Sequence, residues 1–509
     1  MEKYLKNKRI YLGAVIFLFI AAFFLRIYQI SRFDLWRDEA FTVTLASKNL
    51  SDFLNIALKD TSSFGHNFFV FLWTRLFGTS ELSVRIPSLL FSMATFIYIF
   101  LISKKCFKRL GTILILLLYT INIVSIYYSQ EARGYSMLMF LTTASFYYFI
   151  QILEKFKLKN AVLFILLTAL SFYTHNLSIF TIAAYFIYTV IIKILTQIDL
   201  HDIKGSLTKS KDILKKWFIL YISLFIVILP WLIVFISQSG SIKDNFWLTF
   251  DPINSSNESL TGLSVGIRLF SSEDFTIFDA TLNILTLAFL FIGSVYEILK
   301  FKKLKIHSVY FFWSIFFMVY FGSFITPMLY VRYISFLIPF MIFLIYRGIS
   351  VLTKIVSIKL LILLTIIMLN VNTYVSYQRN DYIKPYYSDL ANYIEDNYHE
   401  NDGILHLNAL SFYSFEYYSH NKISTIYDPD YRTPFYTGKT MMREEDFTRD
   451  LSSLTKFDRL WIIELGSSDD RSGFETYFTL TEKIEFKGGL NLELWENASL
   501  LYKFAFCEN

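Results

Sequence analysis

Apolar residues in this chain come in long blocks separated by short polar stretches. The blocks are long enough to cross a bilayer, which takes roughly 20 residues per helix. Read with their flanks, they run Ile10–Ile30, Leu82–Ile102, Thr112–Tyr128, Met137–Leu153, Ala161–Tyr173, Leu177–Leu195, Trp217–Ile236, Phe278–Leu299, Val309–Thr326, Tyr333–Tyr346 and Ile358–Tyr374. The pattern predicts about eleven transmembrane helices, the fifth and tenth runs being short. No small-residue cleavage site follows the first run, so it is expected to remain as a membrane helix.

The polar stretches then orient the helices, because short basic loops stay on the cytoplasmic side. Lys3 to Arg9, Lys104 to Arg109, Lys155 to Lys159, Lys204 to Lys216, Lys300 to Lys305, and the pair Arg347 and Lys354 are the basic segments. With eleven helices all of them fall on one face, which places the N-terminus in the cytoplasm and everything after Tyr374 outside. Ser31–Glu81, the turn at Ser129-Gln130-Glu131, Ser237 to about Asp274 and the C-terminal tail would then face outward. Cys106 and Cys507 fall on opposite sides, so no disulfide between them is expected.

Beyond Tyr374 the pattern changes. Asp389–His399 reads as a short helix, and Gly403–Leu407 and Arg459–Ile463 read as buried strands. The fold class is therefore an all-α polytopic membrane protein, residues 1–376, with juxtamembrane helices in the 31–81 loop. A small extracytoplasmic α/β domain follows over residues 377–509. Composition agrees: 54% of residues are hydrophobic and 18% charged, against about a quarter charged in soluble domains. A net charge of +6 gives no reason to expect a nucleic-acid partner. No P-loop and no strand–GxGxxG–helix unit appears, which argues against direct use of a nucleotide.

Candidate chemistry collects at the outer ends of the helices. Asp38 and Glu39, in Leu35-Trp36-Arg37-Asp38-Glu39-Ala40, stand just past the first helix, where a carboxylate could deprotonate an acceptor at headgroup depth. Arg133 follows Glu131 in Tyr128-Ser129-Gln130-Glu131-Ala132-Arg133-Gly134-Tyr135, and Arg332 stands in Leu329-Tyr330-Val331-Arg332-Tyr333. Guanidinium groups suit a phosphate through their bidentate fork. Taken singly, the acids also read as solvated loop charges, and the arginines as snorkelling anchors of helix ends. Anchoring is the favoured reading for Arg26 and Arg85. His66 and His175 read either as substrate or metal contacts or as hydrogen-bonded structural histidines. No HExxH or paired CxxC spacing supports a metal cage.

The order of these segments resembles the family-39 glycosyltransferases, relatives of protein O-mannosyltransferases and of the lipid A aminoarabinose transferase. The resemblance is carried by Leu35–Ala40, His66 opening an aromatic stretch to Leu76-Phe77-Gly78, Ser83-Val84-Arg85-Ile86-Pro87-Ser88, Tyr128–Tyr135, Tyr173-Thr174-His175, and Arg332-Tyr333 followed by Pro339. It implies a GT-C fold, a polyprenyl-phosphate-sugar donor and an extracytoplasmic protein, glycan or lipid acceptor. It implies Asp38 as the general base with Glu39 beside it, and Arg133 and Arg332 on the donor phosphate; His66, Glu131 and His175 are further substrate-binding candidates. No cofactor is implied with certainty; some relatives bind a divalent metal, but no ligand set carries over. The chain departs from the family at Asn67 and Phe68, where two prolines are usual.

Two other readings fit a many-helix chain. A transporter or flippase of lipid-linked sugars would place its ionisable groups at mid-membrane, whereas here they gather at the outer ends. A non-catalytic glycan-binding module would not need the Asp38-Glu39 pair.

Overall fold

The computed structural model describes residues 5, 7–194, 203–243, 247–266, 277–301, 304, 307–352, 356–379, 384–419, 423–466, 471 and 473–498. Every one of the eleven apolar runs falls on helix. Among the described residues seven helices are long and apolar enough to cross a membrane: Lys8–Ile27, Glu81–Cys106, Tyr135–Glu154, Lys211–Gln238, Ala280–Leu299, Val331–Leu352 and Ser357–Arg379. The third run is a broken helix, Arg109–Ile121 followed by Ile123–Ser129 at 56°. Three runs lie on shorter apolar helices, Leu158–Thr174, Ser178–Ile192 and Ser308–Gly322. The tenth run, short by hydropathy, sits within the continuous Val331–Leu352 stretch. Cys507 and Lys354 lie outside the described residues, as do 195–202, 267–276, 302–303 and 305–306.

The chain divides into two compact units: Met1–Tyr28, Ser62–His66 and Arg85–Gln378 form one, and Gln29–Thr61, Asn67–Val84 and Arg379–Asn509 the other. We call them the helical unit and the mixed unit.

In the helical unit, local sequence explains the broken helix. Asn122 ends the first segment with extended backbone, and its side-chain oxygen accepts the Ser125 N–H at 2.9 Å, capping the second. The break leaves the last carbonyls of Arg109–Ile121 without helical partners. Arg26, fully buried, reaches two of them: it donates to the carbonyls of Tyr119 (3.1 Å) and Thr120 (3.2 Å), and also to the Ala22 carbonyl (3.1 Å) and to Ser92 Oγ and Ser125 Oγ (both 2.8 Å). A cation at a helix C-terminus also complements the helix dipole. Arg26 is thus a buried helix cap and not a snorkelling anchor. Arg85 is buried as well, so its anchoring reading is corrected too: a snorkelling head would reach water.

Elsewhere in this unit two helices meet backbone to backbone. A Cβ on Gly293 would collide with the Leu344 carbonyl, and one on Gly348 with the Phe289 carbonyl. Small residues permit such close approach, which in lipid must supply the packing energy that water otherwise provides.

The mixed unit holds a six-stranded sheet. In chain order its strands are β1 (Asp402–His406), β2 (Thr425–Tyr427), β3 (Phe447–Thr448), β4 (Arg459–Leu465), β5 (Phe478–Phe486) and β6 (Leu490–Asn497). Their spatial order is β3-β2-β1-β4-β6-β5. β1 pairs in parallel with β2 and β4, while β6 joins β4 and β5 antiparallel. The two strands read from the sequence are β1 and β4, neighbours at the centre. Alternation along them feeds two cores: Ile404, Trp461 and Ile463 pack with Tyr387, Leu390, Ile394 and Phe415 on one face. Leu405, Leu460 and Ile462 pack with Phe474 and Trp495 on the other. Burial on both faces is what parallel strands require. The predicted helix appears as Tyr387–Asn397.

The first long loop packs in this same unit. It forms three helices, Arg37–Ser47, Leu50–Ala57 and Phe64–Phe77, the last crossing the unit boundary between His66 and Asn67. That helix begins before His66, so the two missing prolines do not prevent it. Asn67 is instead buried, its side chain 3.4 Å from the Thr42 hydroxyl.

Candidate active site

Five of the expected site residues, His66, Glu131, Arg133, His175 and Arg332, lie in the helical unit, and the structure draws them from distant parts of the chain. The Ser62–His66 stretch is wedged into place by glycines. A Cβ on Gly65 would stand 3.0–3.1 Å from Thr174 and Tyr173, and one on Gly134 would stand 3.0–3.2 Å from Ser63 and His66. Bare backbone at these two positions eases the close approach of His66, Arg133-Gly134 and Thr174-His175. His66 is fully buried there.

Glu131, also buried, accepts a hydrogen bond from the Tyr127 hydroxyl. Arg133 is half-buried, and its carbonyl accepts from Ser88 Oγ at 3.2 Å. The Tyr128 hydroxyl feels both Arg332 and Glu131, along with Tyr135 and Tyr330. Arg332 lies 5.2 Å from the ring centres of both Trp247 and Tyr330, a geometry in which the guanidinium is drawn to two π-faces.

His175 ends the Leu158–Thr174 helix in extended backbone. Its ring lies 6.4 Å from that of Tyr135 and 5.5 Å from that of Tyr333. Its Nδ1 accepts the Leu177 N–H at 3.2 Å, which leaves the neutral-ring proton on Nε2. Burial, and then the Arg133 charge, push its pKa down to about 4. The imidazole is therefore a neutral hydrogen-bonding group beside a fixed cation. Two guanidinium groups against one carboxylate leave the cluster with an excess of positive charge, which suits an anion of phosphate type.

Asp38 and Glu39 lie in the mixed unit, in the first turn of Arg37–Ser47. Acidic residues are favoured at a helix N-terminus by the dipole, so part of the reason for the pair is local. The two side chains then diverge. Glu39 is fully buried and forms an ion pair at 3.0 Å with Lys384, itself buried. Asp38 is partly exposed, 3.1 Å from Arg37 Nε. Lys384 also lies 5.6 Å from the Trp36 ring centre.

Sequence reasoning missed Lys384, Trp247 and the tyrosines that frame the arginines. Trp247 and Lys384 carry no local pattern; Gly65 and Gly134 could have been noticed as glycines inside motif segments. Among the described residues no group of three or more His, Cys, Asp or Glu side chains stands close enough to hold a metal ion.

Comparison with known proteins bears on the same segments. Residues 61–234 match the family described as dolichyl-phosphate-mannose-protein mannosyltransferase. That stretch contains His66, Glu131, Arg133 and His175. No curated protein matches the sequence. The crystal structure of ArnT from Cupriavidus metallidurans in the apo state is similar to the whole chain, with a TM-score of 0.60 at 10% identity over 95% of this chain and 97% of that one. The same enzyme bound to undecaprenyl phosphate gives 0.59 at 9% identity over 96% and 98%. The chain is thus a multi-pass membrane protein with the GT-C fold of ArnT, similar over residues 61–234 to the dolichyl-phosphate-mannose-protein mannosyltransferases.

Proposed function

We propose that the chain is a membrane glycosyltransferase that moves a sugar from a polyprenyl-phosphate-linked donor to an acceptor outside the cytoplasm. The observation that carries this is the cationic cluster of Arg133 and Arg332 with neutral His175 and buried His66 and Glu131. It supports binding of a lipid phosphate, and the ArnT fold, seen elsewhere with undecaprenyl phosphate, supports the same donor class. The eleven apolar runs fall on helix, and the basic segments lie before or between them. They support a cytoplasmic N-terminus and an outer tail. Residues 1–376 would carry the transfer chemistry and 377–509 an extracytoplasmic domain.

The reaction is a single displacement. Asp38 takes the proton of an acceptor hydroxyl as its oxygen attacks the anomeric carbon. The bond from that carbon to the phosphate oxygen breaks, and its electrons leave on the lipid phosphate. Arg133 and Arg332 stabilise that charge, and fixed donors aimed at developing charge are usually the largest catalytic contribution. His175, neutral and fixed in one tautomer, donates through Nε2 without adding charge. Glu39 serves through its ion pair with Lys384, leaving the proton transfer to Asp38.

The test is release and transfer of label from a radiolabelled polyprenyl-phosphate sugar, with a membrane extract as acceptor. Wild type should transfer, and a folded Asp38→Asn variant should not. Transfer by that variant at the wild-type rate would remove the proposed base, and movement of intact lipid-linked sugar across proteoliposomes without product would favour a flippase.

A further inference from the structure

The C-terminal domain makes an unusual set of contacts with one short segment of its own unit, the residues around Asp38. Asp34 accepts the Ser388 N–H at 2.5 Å and the Ser388 hydroxyl at 3.1 Å. It thereby caps the Tyr387–Asn397 helix, which has no side-chain cap from its own N-terminal residue. The Leu35 N–H donates to the Tyr418 hydroxyl at 2.7 Å, and that hydroxyl donates to Glu81. Trp36 lies under Lys384, and Arg37 is 5.9 Å from the Tyr436 ring centre. Glu39 pairs with Lys384. Phe41 meets Tyr413 edge to face at 5.5 Å, with Gly438 against both rings. Within eight residues, six side chains or backbone groups flanking Asp38 on both sides are held by the tail.

The holding groups are themselves anchored. Tyr387 and Leu390, beside Ser388, belong to the sheet's core, as does Phe415 between Tyr413 and Tyr418. The Tyr413 hydroxyl donates to the Gly438 carbonyl at 2.8 Å, and Gly438 adopts φ +88°, a conformation L side chains avoid. The path from packed sheet to helix start thus runs through buried side chains and hydrogen bonds.

We propose that the C-terminal domain is the positioning frame of the general base, rather than an accessory that selects the acceptor. The inference rests on the reading of Asp38 as that base. A proton acceptor must be held to about half an ångström, and a misplacement of about 1 Å can cost about a hundredfold in rate. A helix N-terminus on a loop would not meet that requirement alone. Tyr418, Asp34, Lys384 and Tyr413 are positioning residues; they act through the backbone of 34–41.

The experiment uses the full-length protein in detergent with Tyr418→Phe, Asp34→Ala, Asp34→Asn and, as reference, Asp38→Asn. Hydrogen exchange of the 34–41 segment, binding of undecaprenyl phosphate, and kcat and KM for donor and acceptor are measured. Tyr418→Phe and Asp34→Ala should speed exchange of 34–41 and lower kcat by about tenfold or more. Both KM values and undecaprenyl phosphate binding should stay within about twofold. Asp34→Asn, which keeps an acceptor oxygen for Ser388, should recover part of the loss. Unchanged exchange of 34–41, or an unchanged kcat with a raised acceptor KM, overturns the frame. If Tyr418→Phe does not fold, the Asp34 pair decides by the same criteria. Transfer by Asp38→Asn would instead sink the base itself, whatever the frame variants do.

Discussion

The Glu39–Lys384 pair allows the two adjacent acids to be separated by experiment. At 3.0 Å and an effective dielectric of about 20, the attraction is about 5.5 kcal/mol. Desolvation of two ions consumes several kcal/mol each, so the net worth of the pair is small. Breaking it is another matter, because the remaining ion is left buried, at about 3–5 kcal/mol. Lys384→Met should therefore lower the thermal midpoint of the mixed unit by roughly 10 °C, at about 2–4 °C per kcal/mol. Glu39→Gln should cost a similar amount by stranding the ammonium. The double variant, with no buried charge, should be more stable than either single. Thermal unfolding in detergent gives the double-mutant cycle, and the labelled-donor assay gives the activity. If Glu39 acts only through its ion pair, the double variant transfers sugar well above the level of Asp38→Asn. A double variant that is stable yet as inactive as Asp38→Asn would refute this and make Glu39 a chemical participant.

Three further outcomes are expected. Arg26→Lys cannot replace all five donated hydrogen bonds, so it should destabilise the helical unit by about 2–4 kcal/mol, at about 1–3 kcal/mol per buried acceptor left unpaired; a midpoint equal to wild type would contradict the capping role. Gly293→Val must push two helix backbones apart and should cost at least about 1–3 kcal/mol, read as loss of monodisperse protein on heating in detergent. His406, buried between Ser411 Oγ (2.7 Å) and Ser424 Oγ (3.1 Å), has its pKa pushed by burial to about 3. The unfolded chain therefore binds its proton more readily. Stability from this group is full above about pH 6.5 and lost progressively toward about pH 3. His406→Gln should flatten that part of the pH–stability curve, and an unchanged curve would show that His406 contributes nothing to it.

Much of the architecture was legible in local pattern. A membrane helix announces itself by length and hydropathy alone, because every backbone polar group in lipid must be satisfied within its own segment. All eleven runs accordingly found helices. The central strands β1 and β4 were legible for a related reason, being short apolar runs buried on both faces. β5 and β6 were missed: β5 exposes most of its length, and its register comes from pairing with β6, not from its own composition. The break at Asn122 carried a local cap signal, but nothing nearby indicated that Arg26 would close it from 94 residues away.

The site divides along the same line. Sequence by itself determined which segments carry ionisable groups at helix ends, and their order supplied the resemblance from which roles were expected. Only the tertiary structure decided how those groups are used. Glu39 and Asp38 are neighbours in sequence, yet one is buried against a lysine 345 positions away and the other remains partly exposed. His175 reads the same in sequence whether charged or neutral; its neutrality follows from burial and from Arg133 beside it. Whether a charge is paired or held near another depends on contacts between segments far apart in the chain. Burial and those contacts set protonation and hydrogen bonding, and neither is written in the local pattern that reveals a helix.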